Sequence, residues 1–144
     1  MEKLKSVLII GAGANDVQHG DELDSAIYQV SRVFKQMKIK TILADDNPFS
    51  VSLENVDHGC IVPLRVESLV DIINKFHPDA ILPTLGNRRA FELTQELLEK
   101  GIIRKENIQL LGVPEATIRQ INSAVLLERT LRQMEAPVKK NVTV

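Results

Sequence analysis

Short unbroken apolar runs alternate along this chain with longer stretches whose apolar positions recur every three or four residues. "SVLII" (Ser6–Ile10) has no polar break after its first residue and ends at Gly11, the pattern of a strand buried on both faces of a parallel sheet. From Glu22 to Met37, Leu23, Ile27, Val30, Val33 and Phe34 fall on one face of a predicted helix. "TILAD" (Thr41–Asp45) predicts a second strand, stopped by the turn-forming "DDNP", and "CIVP", from Cys60, a short third. A helix over Val66–Phe76 buries Val66, Leu69, Val70 and Ile73 and ends at His77, where Pro78 disfavours helical geometry. "AILPT", from Ala80, is a fourth strand. A third helix spans Arg88–Lys100 and stops at Gly101, and "IQLLG", from Ile108, is a fifth strand. Two more helical pieces follow: "PEATIRQI", with Pro114 at its first turn, and "SAVLLERTLRQM".

Repeated strand–helix alternation predicts an α/β fold with about five mostly parallel strands and helices on both faces. Right-handed crossovers leave few ways to connect them. The chain reads as one domain over residues 1–137, since 144 residues can bury roughly 70% of the unfolded surface in one core. Residues 138–144 read as the start of a linker. Only 3% of residues are aromatic and none is Trp, so the core is expected to be aliphatic. A net charge of −1 gives no electrostatic case for nucleic acid or an anionic membrane as partner. The single cysteine, Cys60, excludes an intrachain disulfide, and in its apolar stretch it reads as a buried inert thiol. With no apolar run long enough for a signal peptide or a membrane span, a cytoplasmic location is expected.

In an open parallel sheet the functional loops lie outside the carboxyl ends of the strands. Here these are Gly11-Ala12-Gly13, Asp45-Asp46-Asn47-Pro48, Thr84-Leu85-Gly86 and Gly112. The first resembles a dinucleotide fingerprint, but Asp16 stands where its third glycine belongs. The helix also starts late, and Asp45, the candidate ribose ligand, lies about 34 residues past Gly11 rather than about 20. The preferred reading is therefore glycines that let a strand turn. Glu22 and Asp24 could be paired carboxylates for acid–base work, but fit better as stabilisers of a helix N-terminus. His19, His58 and His77 share no metal-ligand spacing, so no metal site is expected. Arg88 and Arg89 could face an anion, and read more simply as a solvated pair. No Walker lysine and no nucleophile elbow occurs.

Taken in order, these motifs resemble the start of the carbamoyl-phosphate synthase large subunit. Its opening strand and glycine turn, followed by Glu-Phe-Asp, are matched by "GAGANDVQHGDELDSA", which keeps Gly11, Gly13, Glu22 and Asp24 at the same spacing. Its Asn-Ser-Asn-Pro turn appears as "DDNP", with Asn47 and Pro48. Its Pro-Asp-Ala-Ile-Leu-Pro-Thr strand appears as "PDAILPTLG", with Thr84 and Gly86, and its Leu-Leu-Gly as Leu110-Leu111-Gly112. The resemblance implies a Rossmann-like pre-ATP-grasp domain preceding an ATP-grasp fold that holds ATP and magnesium. The implied reaction makes carbamoyl phosphate from bicarbonate and ammonia released by a glutaminase small subunit, serving arginine or pyrimidine biosynthesis.

By this resemblance the partners are the downstream ATP-grasp domain and the glutaminase. Gly11, Gly13, Glu22, Asp24, Asn47, Thr84 and Gly86 then become interface residues rather than catalytic ones. The domain alone is expected to be inactive and to bind no cofactor tightly. One departure stands out. The family carries Asp-Arg before the ATP-grasp fold, the arginine reaching the ATP phosphates, and the aligned residues here are Ser123 and Ala124. Alanine supplies no charge-assisted hydrogen bond, and Arg119 and Arg129 are the candidates to replace it. A degenerate, non-enzymatic homologue acting as an interaction or regulatory module is the alternative, and a nucleotide-linked oxidoreductase domain a third.

Overall fold

The computed structural model describes residues 4–11, 20–85 and 88–120, without the side chains of residues 20–24 and 51. Five parallel strands form one sheet: β1 (Ser6–Ile10), β2 (Lys40–Asp45), β3 (His58–Ile61), β4 (Ala80–Leu82) and β5 (Gln109–Leu110). Their order is β3-β2-β1-β4-β5, with Val7 opposite both Thr41 and Ala80. The direction of winding reverses between β1 and β4, which opens a crevice at their carboxyl ends. Every neighbouring pair runs parallel, so the sheet is all-parallel where mostly parallel was expected.

Period-two alternation sends successive strand residues to opposite faces. Leu8, Ile10, Ile42, Ala44 and Ile81 pack against α2 (Val66–Phe76), α3 (Arg88–Glu99) and the one-turn α4 (Ile102–Lys105). On the other face Val7, Ile9, Leu43, Ala80 and Leu82 meet α1 (Gly20–Gln36) through Ile27, Val30 and Phe34. Among the described residues the buried apolar side chains are all Val, Leu, Ile or Ala, the aliphatic core that the composition predicts.

Several boundaries differ from the sequence reading. Helix α1 begins at Gly20 rather than Glu22, within the usual fraying of helix ends. Val33, assigned to its buried face, is 52% exposed, while Ser31 is buried in its place, because the stripe runs 27–30–31–34. The third strand begins at His58 rather than Cys60, because pairing with β2 extends to Ile42. The fourth and fifth strands stop at Leu82 and Leu110. Two short pieces were not anticipated: a 3-10 turn over Val51–Glu54, and α4, which follows directly on Gly101. Gly101 takes a φ of 73°, the left-handed cap expected of it. His77 closes α2 at φ 49°, held by its N–H on the Ile73 carbonyl. Residues 115–120 are helical after Pro114, and "SAVLLERTLRQM" lies outside the described residues.

Candidate functional site

The carboxyl ends of β1, β2, β4 and β5 bring Gly11, Asp45–Pro48, Thr84 and Gly112 to one edge of the sheet. Gly11 continues the β1–β2 ladder by donating its N–H to the Ala44 carbonyl at 2.8 Å. That places it beside Asp45, which is 4% exposed. A Cβ on Gly11 would lie 2.8 Å from the Asp45 Cγ, closer than real carbon contacts. The absent side chain of Gly11 is thus matched by the chain's own carboxylate.

Asp45 also accepts the Asn47 N–H on Oδ1 at 3.0 Å, and Asn47 in turn accepts the Phe49 N–H on its own Oδ1 at 3.0 Å. Two successive Asx turns with Pro48 between them therefore carry the chain away from the sheet. The Asp45 carbonyl receives the Val62 N–H at 3.0 Å, so β3 leaves the sheet beside the same turn. Across the crevice, Leu111 donates to the Ile81 carbonyl at 2.9 Å and Gly112 takes φ 80°. A Cβ there would sit 3.0 Å from the Thr84 Oγ1, so the ends of β4 and β5 close on each other through a glycine.

The described residues of these turns carry carboxylate, amide and hydroxyl groups and no cation. Arg88 is exposed at the start of α3. Arg89, also expected to be solvated, keeps 42% of its side chain exposed but is tied down: its Nε donates to the Leu64 carbonyl at 3.3 Å, and its Nη1 meets Glu92 at 3.4 Å and Glu96 at 3.7 Å. It ties the start of α3 to the loop before α2. Arg119 bonds Glu115 at 2.9 Å along its own helix, so its charge is already answered. Magnesium and the phosphates of ATP need converging carboxylates and cations. Among the described residues no three His, Cys, Asp or Glu side chains converge to hold a metal.

Of the residues singled out from sequence, Gly11, Asn47 and Thr84 share the edge, while Gly13 and Gly86 lie outside the described residues. Glu22 and Asp24 fall in the first turns of α1, with side chains that are not described. His58 stacks on Phe76 with ring centroids 4.7 Å apart, and His77 faces Glu106 at 3.9 Å. His19, Ser123, Ala124 and Arg129 are not among the described residues. Cys60 is half-buried, and burial pushes its thiol up, tempered by the Lys75 ammonium. An inert thiol fits this setting better than a nucleophile.

Sequence reasoning passed over two carboxylates at the opposite edge. Asp79 accepts the N–H groups of Lys5 and Ser6 on Oδ2 at 2.8 and 3.2 Å, and Asp57 accepts the Thr41 N–H at 2.8 Å. Their signal was present: each aspartate comes just before a strand, in "VDHGC" and "PDAIL". An open groove of about 680 Å³ lies between α3, α4 and residues 113–119, and is lined by none of Gly11, Asp45, Asn47, Thr84 or Gly112.

Residues 3–120 match the family described as the carbamoyl phosphate synthase preATP-grasp domain. The carbamoyl phosphate synthase large chain of Rubrobacter xylanophilus is 32% identical over 99% of this chain. The N-terminal section of that large chain in Aquifex aeolicus is 31% identical over 98% of it. The chain spans 14% and 26% of the lengths of these two relatives. In fold, N5-carboxyaminoimidazole ribonucleotide synthetase from Thermotoga maritima superimposes with a TM-score of 0.54 at 17% identity, over 95% of this chain and 33% of that one. The match over residues 3–120 and the similarity along nearly the whole length agree, and the chain belongs to the carbamoyl phosphate synthase pre-ATP-grasp domain family.

Proposed function

We propose that this chain serves as the first domain of a carbamoyl phosphate synthase large chain. It shapes the surface against which an ATP-grasp domain closes and carries out no chemistry by itself. One observation carries this reading: at the sheet edge where a doubly wound domain would bind a nucleotide, Asp45 packs against Gly11, so the space beside that glycine is taken by the chain's own carboxylate. Such an edge suits contact with a neighbouring domain. In this reading ATP and magnesium belong to the ATP-grasp domain, and ammonia comes from a glutaminase partner. The NAD-binding alternative loses ground on the same observation, because both Asp45 oxygens face the chain's own backbone.

The test pairs two measurements. The complete synthase from the same source, in one polypeptide or several, should form carbamoyl phosphate from bicarbonate, MgATP and ammonia. Calorimetry of MgATP against the 144-residue chain alone should show no binding at millimolar ligand. Tight binding that disappears on replacing Gly11 or Thr84 would move the nucleotide site into this domain and overturn the reading. A second reading, a non-enzymatic interaction module, is favoured by Ala124, which stands where the resemblance places an arginine. An inactive complete protein that still assembles with its partners would select it.

A further inference from the structure

The most exposed large apolar side chain among the described residues is Phe49, at 90%. The fold does not need it there, since neither core cluster includes it. Its backbone is nevertheless tightly held. The Asx turn on Asn47 takes its N–H at 3.0 Å, and Ser50 donates to the Asn47 carbonyl at 3.3 Å. The next residues enter the 3-10 turn over Val51–Glu54, with Ser50 and Ser52 buried. Beside it, the edge strand β3 ends at Ile61, 55% exposed and paired in register with Asp45, the residue that begins the turn. Two exposed apolar side chains thus flank the end of β2 at the loop-bearing edge of the sheet. One of them stands on a turn stiffened by hydrogen bonds on both sides.

An exposed aromatic has few side-chain torsions to order on docking, and a backbone already held by hydrogen bonds lowers that cost further, as interface anchors require. Resting on the reading above, we infer that Phe49, with Ile61 beside it, anchors the ATP-grasp domain by inserting into an apolar pocket on that domain. The occupant is indicated by extent and place. The relatives are several times longer than this chain, which spans 14% of one of them, and the corner adjoins the Gly11–Asp45 edge assigned to that contact. The groove beside α4 makes a weaker anchor site, because its lining mixes Arg104, Glu99 and Glu115 with the apolar residues.

The test uses the complete synthase from the same source and three forms of it: unaltered, Phe49→Asp and Phe49→Leu. Phe49→Asp should lower bicarbonate-dependent carbamoyl phosphate formation about tenfold or more, and Phe49→Leu should restore most of it. In the isolated 144-residue chain the Tm of Phe49→Asp should match the unaltered chain, because the side chain supports nothing within the domain. An active unaltered enzyme whose Phe49→Asp form is equally active overturns the anchor and leaves the proposed function standing. An inactive unaltered enzyme overturns both. A large Tm loss in the isolated chain also overturns the anchor, by showing that Phe49 acts within the fold.

Discussion

The two edges of the sheet use aspartate in opposite ways. At the amino edge Asp57 and Asp79 reach across to the start of the neighbouring strand, joining residues 16 and 73–74 positions apart. At the carboxyl edge Asp45 bonds a residue two positions on, and so does Asn47. The first arrangement locks strand to strand and answers backbone N–H groups that would otherwise lack partners at the end of the ladder. The second folds a turn and fills the space beside Gly11. The same carboxylate chemistry holds the scaffold at one edge and sculpts a contact surface at the other. The difference comes from sequence separation, not residue type.

The largest effect expected from perturbing this contrast is at Gly11. Gly11→Ala forces a Cβ against the Asp45 carboxylate and should cost about 1–3 kcal/mol in denaturant unfolding. Adding Asp45→Ala should recover part of that loss, and the double-mutant cycle measures how much. Full additivity would mean that the two residues do not share the space. Next comes Asp79→Ala, which removes the acceptor of the Lys5 and Ser6 N–H groups and should cost about 1 kcal/mol, since water reaches the exposed Lys5 N–H in its place. Asp79→Asn, which keeps an acceptor oxygen, should cost less; equal losses from both would show that the amino-edge clamp is not a hydrogen-bonding device.

Asn47→Ala removes one local turn bond and should cost about 1 kcal/mol or less. Its larger consequence should be functional, since it loosens Phe49 in the complete enzyme. The smallest effect is at Cys60. Its thiol is pushed up by burial, so the folded state holds that proton more tightly than the unfolded chain. That contribution to stability is present below the ordinary thiol range and is lost as pH rises through the raised value. Iodoacetamide should label Cys60 more slowly in the folded chain than in denaturant at mildly alkaline pH. Equal rates would remove the shift.

Much of the fold was legible in the linear pattern. Uninterrupted runs such as "VLII" and "AIL" mark strands covered on both faces, and three- and four-residue spacing marks α1 and α2. Gly101 and His77–Pro78 end helices by local stereochemistry, which any chain with those residues would feel. Strand ends were less legible: "AILPT" and "IQLLG" run on past Leu82 and Leu110, where β4 and β5 end, although Leu111 still donates to the Ile81 carbonyl. Val33 was misplaced for a related reason: a periodic face is about a third of a helix wide, and only the neighbouring sheet decides which flank is covered.

The local sequence by itself determined the alternating α/β pattern, the aliphatic core and the turn-forming character of "DDNP", all consequences of side-chain shape and polarity within a few residues. Only the tertiary structure decided that Asp45 lies beside Gly11, that Asp79 clasps Lys5 and Ser6, and that Arg89 answers the Leu64 carbonyl. Those contacts join residues far apart in the chain. Strand order and register bring them together, and neither is encoded in any single segment.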